Sequence, residues 1–289
     1  ETLPEVITAR LAARITRRPG AVVVQSDPFL EVQRYNPKGF TSFYAAYRTL
    51  YNPLVAFIES FTAQLHIRAM NKMTLLVVGG SLSQTLASRG IMGVANVTVS
   101  DGVDLKMIDD TQPSDLHYDA VLVGRIDLSK GVIELLDAWA GLGDWRKPSR
   151  LAVVGPVQEA LERKMETFAS SSRGKIHNLG PVSDREVISI LKPSGVLVLP
   201  SYFESYSLVV AEALGCSMPV VSYDSPGIRE FFPTPAVSTV PKGDAEALVD
   251  RVRRILSDEE ERSRLGRIGR KFVSRYSWDK IAASEARIY

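Results

Sequence analysis

The chain has 289 residues, 45% of them hydrophobic, so it can bury a full core and is long enough for more than one domain. Its 35 basic and 33 acidic residues leave a formal charge of +2, too balanced to argue for a nucleic-acid partner. The single cysteine, Cys216, excludes an internal disulfide framework, fits a reducing compartment and reads as a core residue.

No run reaches the roughly 18 apolar residues of a membrane span, and the N-terminus lacks signal-peptide anatomy, so a cytoplasmic location is the default expectation. The chain opens at Glu1 inside what reads as a helix over 3–17, and residues before it are expected to be missing. A strand at 21–24 leads into a loop, Gln25-Ser26-Asp27-Pro28. The aromatic segment from Phe40 to Met70 then places Phe40, Phe43, Tyr44, Tyr47, Tyr51, Leu54 and Ile58 at helical spacing, with Pro53 set to break or restart the helix. Packing against a sheet is one reading of that face. The other is peripheral contact with a membrane or a lipid-linked acceptor, aided by Arg48, Arg68 and Lys72. Next come a strand at 74–78, a helix at 82–88 and a strand at 97–99 that runs into Asp101-Gly102-Val103-Asp104. The polar stretch 109–117 reads as a linker.

From Tyr118 the alternation becomes regular. Strands are expected at 120–123, 151–154, 175–179, 196–199 and 219–223, with helices at 132–142, 158–170, from 185, at 207–215, at 244–256 and at 258–276. Strand and helix alternation predicts a parallel, doubly wound sheet, whose ligands sit outside the carboxyl ends of the strands. The loops GRIDLSKG, GP, GPVSD and SYFES all fall there.

Two carboxylates stand out in LPSYFESYSLVVAEALGCSMPVV. Glu204 lies in the turn after an apolar strand and Glu212 inside the apolar helix that follows, and acids in such surroundings need a cation, a donor network or a ligand rich in hydroxyls. Arg125 and Lys130 sit between another strand end and a helix start, where a guanidinium, an ammonium and free helix N–H groups suit a diphosphate. Cations for phosphates and carboxylates for hydroxyls together describe a nucleotide sugar.

The segments VGRIDLSKGVIELLDAW, LAVVGP, IHNLGPVSDREV, LPSYFESYSLVVAEALGCSMPVVSYDSPGIREF and YSWDKIA resemble the retaining glycosyltransferases of family four, which have the GT-B fold. The likeness runs from about Val97 to the C-terminus and includes the family's signature of Glu, seven residues, Glu, at Glu204 and Glu212. It implies an α/β architecture of two Rossmann-like doubly wound domains facing a cleft, the N-terminal one truncated in this chain. The corresponding division is 1–116 for the acceptor-side domain, 117–276 for the donor-binding domain and 277–289 for a helix that crosses back to the first.

By that resemblance, Arg125 and Lys130 bind the diphosphate, Glu204 takes hydroxyls of the transferred sugar, and Glu212 holds the ribose. The backbone N–H groups of Ser207 and Leu208 face the phosphates, Val182 meets the base, and Gly155 lines the crevice. Asp104, in a turn like the family's Asn-Gly-Val-Asp, is expected to brace it. The family commonly has glycine where Ser207 stands. Its usual N-terminal glycine-rich loop and histidine are not seen; Asp27 is the candidate acceptor-side group, with loop capping before Pro28 as the alternative. None of His66, His117 and His177 is expected to be catalytic.

No Asp-x-Asp stands in a matching loop, so neither metal nor cofactor is expected. The expected partners are a nucleotide-diphosphate sugar and a glycan, lipid-linked or small-molecule acceptor. A nucleotide-sugar-binding module without acceptor chemistry is the alternative, and a GT-B-shaped epimerase a third. Oligomeric state, donor base, sugar and acceptor are not legible.

Overall fold

The computed structural model of the chain describes residues 21–24, 64–65, 67–88, 90–93, 95–99, 101–141, 150–172 and 175–286. The expected helix at 3–17, Asp27, and most of the aromatic segment lie outside them. The chain forms two compact units, Glu1–Ser100 and Asp101–Tyr289.

In the first unit, strands β1 (Ala21–Val24), β2 (Thr74–Val78) and β3 (Ala95–Val99) form a parallel sheet with β2 in the centre. Helix α1 (Gly80–Ser88) follows β2 and presents Leu82 and Leu86 to a core of Met70, Met73, Leu75, Val77 and Ile91. Asn71 holds the connection to β3. Its amide donates to Gly90 O at 2.6 Å, and its carbonyl accepts from Met92 N and Gly93 N at 2.6 and 3.0 Å.

The second unit begins with α2 (Leu105–Asp110), which Asp104 caps by accepting from Met107 N at 2.7 Å. The stretch read as a linker is therefore partly helical, and it is tied down. Arg270 grips the Asp109 carboxylate at 2.7 and 2.9 Å, Lys192 reaches the carbonyl of Thr111, and Ser114 N donates to Ser189 O at 2.9 Å. The chain accordingly divides at Ser100, ahead of those polar residues.

The strands that follow are β4 (Ala120–Val123), β5 (Leu151–Val154), β6 (Ile176–Gly180), β7 (Val196–Leu199), β8 (Val220–Tyr223) and β9 (Val237–Val240). They run parallel in the order β6-β5-β4-β7-β8-β9. This order reverses between β4 and β7, so the chain departs in opposite directions from two adjacent strands and leaves a crevice above their carboxyl ends. β5, β7 and β8 are buried along their full length because helices cover both sheet faces, which is why they read as unbroken apolar runs.

The helices are α3 (Val132–Ala140), α4 (Glu162–Ser171), α5 (Asp184–Leu191), α6 (Leu208–Gly215), α7 (Pro226–Phe231), α8 (Ala245–Ser257), α9 (Glu259–Val273) and α10 (Trp278–Glu285). Trp139 of α3 is wholly buried and belongs with Val249 and Val252 of α8 to a core that includes Leu122, Val153 and Val198. Each buried Val or Leu of this cluster contributes roughly 1.5–3 kcal/mol relative to exposure. At the chain's end, Val103 N donates to Tyr276 O at 2.8 Å, and Trp278 covers Gly102 so closely that a Cβ there would lie 2.7 Å from the indole.

Candidate active site

The crevice is built from loops that backbone contacts lock together. After β4, Gly124 N donates to Val154 O at 3.0 Å; after β5, Gly155 N donates to Gly180 O at 2.8 Å. Gly155 takes φ 133°, and a Cβ on it would stand 2.0 Å from Gly124 O, so only glycine allows the first two loops this approach. Val182, half-buried, follows β6 just ahead of the Ser183–Glu186 capping box that starts α5.

Arg125 precedes a single 3-10 turn, Leu128–Lys130, and Lys130 ends it. Asp127 caps it, accepting from Ser129 N at 2.8 Å and bonding Ser129 Oγ as well. Asp127 also lies 3.8 Å from the Arg125 guanidinium, a long contact on a side chain that is 74% exposed. Arg125 is thus free to swing onto a ligand. Asp127 orients this turn, and sequence reasoning passed over it, although Asp-x-Ser is a common loop-capping pattern.

Gly131, at φ 58°, closes the turn, and its Cα approaches Pro200 so nearly that an added Cβ would be 2.2 Å from the Pro200 carbonyl oxygen. Ser129 O accepts from Tyr202 N at 3.1 Å. These contacts join the loop after β4 to the loop after β7 across the switch point. As a result Lys130 Nζ meets Glu204 Oε1 at 2.7 Å, with the two side chains 23% and 10% exposed. The structure therefore pairs one expected phosphate cation directly with the expected sugar carboxylate. Spacing along the sequence did not reveal that pairing.

The Glu204 turn is held from below. Tyr206 is buried against Phe231 and Phe232 at ring distances of 4.8 and 5.2 Å, and α7 approaches so closely that a Cβ on Gly227 would be 2.4 Å from Glu204 O. Tyr202, before it, donates to Glu134 at 3.2 Å.

Ser207 precedes α6 at φ 105° and ψ 88°, outside the usual range of a residue with a Cβ. The glycine common at this position in the family would accept that conformation freely. The turn brings the Ser207 and Leu208 N–H groups to a helix start, where first-turn donors have no partner within the helix and attract anions. Leu208 is 47% exposed.

Glu212 lies in the second turn of α6. Burial, with a smaller contribution from the negative charge of Asp184, pushes its carboxyl up to about 7. Among the described residues no hydrogen bond or ion pair is made by that carboxylate. Cys216 is only partly buried, short of the core residue expected; desolvation still pushes its thiol up to about 12, so it stays protonated and unreactive near neutrality.

Of the histidines, His177 sits on the edge strand β6 with its ring against Tyr118 at 5.5 Å, and His117 is exposed before β4; neither is in the crevice. His66 lies outside the described residues. A hollow of about 920 Å³ between α3 and the start of α8 is lined by Glu134, Asp137, Asp244, Glu246 and Asp250. With Lys242 as the one cation beside those five acids, the lining is predominantly acidic and disfavours phosphates, unlike the switch point with Arg125 and Lys130.

Sheet order, locked loops and a cation–carboxylate pair define a doubly wound α/β domain with a polar ligand crevice at its switch point. The profile of the family described as glycosyl transferases group 1 matches residues 108–272, more than half of the chain, and the chain belongs to that family. It is similar to a D-inositol 3-phosphate glycosyltransferase of Xylanimonas cellulosilytica, 29% identical over 211 residues that cover 66% of this chain and 50% of that protein. The chain spans about half the length of the curated relatives it matches.

Among solved structures, sucrose-phosphate synthase from Thermosynechococcus elongatus superposes with a TM-score of 0.76 at 19% identity, over 98% of this chain and 71% of that one. The Anabaena protein HepE in complex with UDP-glucose gives 0.75 at 15% identity, over 99% and 76%. At these identities the likeness is one of fold.

Proposed function

We propose that the second unit binds the donor of a retaining, metal-independent glycosyltransferase that moves a hexose-type sugar from a nucleoside diphosphate to an acceptor hydroxyl. The observation that carries this reading is the junction of Lys130 and Glu204 at 2.7 Å above the β4–β7 switch point, beside an exposed Arg125 and the start of α6. Membership of glycosyl transferases group 1 supports it, as does fold likeness to a protein solved with UDP-glucose.

In this reading Arg125, Lys130 and the N–H groups of Ser207 and Leu208 receive the diphosphate. They stabilise the negative charge that grows there as the bond between the anomeric carbon and the phosphate oxygen breaks, in the role a metal would otherwise fill. Glu204 orients the sugar hydroxyls, Glu212 holds the ribose, Val182 lies toward the base, and Gly155 leaves room in the crevice floor. The acceptor oxygen attacks from the same face as the leaving phosphate, and its proton passes to a phosphate oxygen, so configuration is retained without an enzyme nucleophile. The acceptor is a glycan or a lipid-linked or small molecule, and a cytoplasmic setting with peripheral membrane contact fits the single cysteine and the aromatic segment.

Glu204→Ala is expected to lower transfer of radiolabelled sugar by the whole protein by orders of magnitude while the circular-dichroism spectrum stays native. Transfer by the wild type should persist in excess chelator. Near-normal turnover of the variant would remove Glu204 from the reaction, and wild-type binding without transfer would select the binding-module alternative.

A further inference from the structure

Residues 200–207, which carry Glu204, belong to no helix or strand, so the place of that carboxylate is set by what neighbouring segments do to the turn. The segment 129–134, from the turn after β4 into α3, does most of this. Its backbone meets the turn where Gly131 lies against the Pro200 carbonyl and where Ser129 O accepts from Tyr202 N at 3.1 Å. Its side chains meet the turn as well. Lys130 Nζ donates to Glu204 Oε1 at 2.7 Å, and the Tyr202 hydroxyl donates to Glu134 Oε1 at 3.2 Å.

The Tyr202–Glu134 bond stands behind the crevice. Glu134 lines the acidic hollow between α3 and α8, away from the cations at the switch point, and Tyr202 precedes Glu204 by two positions. The Tyr202 ring leans on wholly buried Tyr223 at 5.7 Å, which fixes the direction in which its hydroxyl points. Burial, and then the charge of Glu134, hold that hydroxyl above the ordinary phenol range, so it remains a donor. A donor to a carboxylate is the stronger kind of hydrogen bond, and here it ties an otherwise irregular turn to the start of a helix.

We propose that Tyr202 and Glu134 are positioning residues for the sugar half of the donor site: the Tyr202 hydroxyl, anchored on Glu134, sets the turn so that Glu204 meets the hydroxyls of the transferred sugar. This rests on the donor-site reading and deepens it. Neither residue touches the ligand. Because they act through Glu204, their loss is felt by a nucleotide sugar and not by a nucleoside diphosphate, which Arg125 and the start of α6 hold without them.

The test is calorimetric titration of the chain with UDP, GDP and ADP and with UDP-glucose, GDP-mannose and ADP-glucose. Tyr202→Phe keeps the ring and removes only the donor. For whichever base the wild type binds, it should weaken the sugar conjugate by about fivefold, the size of one ordinary hydrogen bond, and leave the nucleoside diphosphate unchanged. Glu134→Ala should do the same, whereas Glu134→Gln, whose amide oxygen still accepts from the hydroxyl, should stay near the wild type. Added to Glu204→Ala, Tyr202→Phe should cost nothing further. Unchanged affinity for the sugar conjugate, an equal loss for both kinds of ligand, or a loss that persists beside Glu204→Ala would overturn the positioning role and leave the donor site standing. Failure of the wild type to bind any of the six ligands would overturn both.

Discussion

Among single residues, Glu212 couples the site most directly to a measurable property of the fold. A carboxyl that titrates near 4.5 in an unfolded chain and at about 7 in the folded one is more easily protonated when folded. Its contribution to stability is fully present below pH 4.5 and is lost as pH rises through 7, by on the order of 3 kcal/mol. Glu212→Gln should therefore match the wild type in thermal midpoint at pH 4 and exceed it by several degrees at pH 8, read by a melting series across that range. Equal pH profiles for the two proteins would show that the carboxyl is not held in this environment. If ribose hydroxyls donate to the ionised form, nucleotide binding at neutral pH should also release a proton, visible as a buffer-dependent binding enthalpy, and the Gln variant should show none. That Glu212 needs a partner was readable from an acid set in LVVAEALG. That its partner is not Lys130 or Arg125 required the fold.

At the scale of elements, the start of α6 is where local strain and site geometry meet. Ser207 holds φ 105° and ψ 88°, a conformation that costs a residue with a Cβ of order 1 kcal/mol or more and costs glycine little. Ser207→Gly should raise stability by about 1 kcal/mol, seen in urea melts as a higher midpoint at unchanged slope, while Ser207→Val should lower it. A midpoint that falls in the glycine variant would mean that the serine hydroxyl, not the backbone, governs the turn.

The same scale shows why some elements were legible and others were not. β1, β2, β4, β5 and β7 have the bounds expected of them because each is a short apolar run ended by a breaker or a polar loop. β9, Val-Ser-Thr-Val, escaped notice because it is a partly exposed edge strand whose middle is polar. Helix α2 was hidden in acidic residues that pair with Lys106 and Arg270. Glu204, Arg125 and Lys130 could be picked out by residue type beside strand ends. Their pairing could not, because Lys130 and Glu204 are 74 positions apart and meet only through the crossover order of the sheet.

On the scale of the whole molecule, the second unit carries the six-stranded sheet and every described residue of the proposed donor site, so donor binding should be separable from the first unit. Asp27, the candidate acceptor-side group, lies outside the described residues. The central claim is that a nucleoside diphosphate binds where Arg125 and the start of α6 face the switch point. It is tested most directly by titrating wild type and Arg125→Ala calorimetrically with UDP, GDP and ADP. Because Arg125 is 74% exposed and has only a 3.8 Å contact, the variant should melt as the wild type does. The account predicts one-to-one binding of at least one diphosphate and a loss of tenfold or more in the variant, as expected for a charge-assisted contact worth about 1.5–3 kcal/mol. Equal affinity of the two proteins would contradict it.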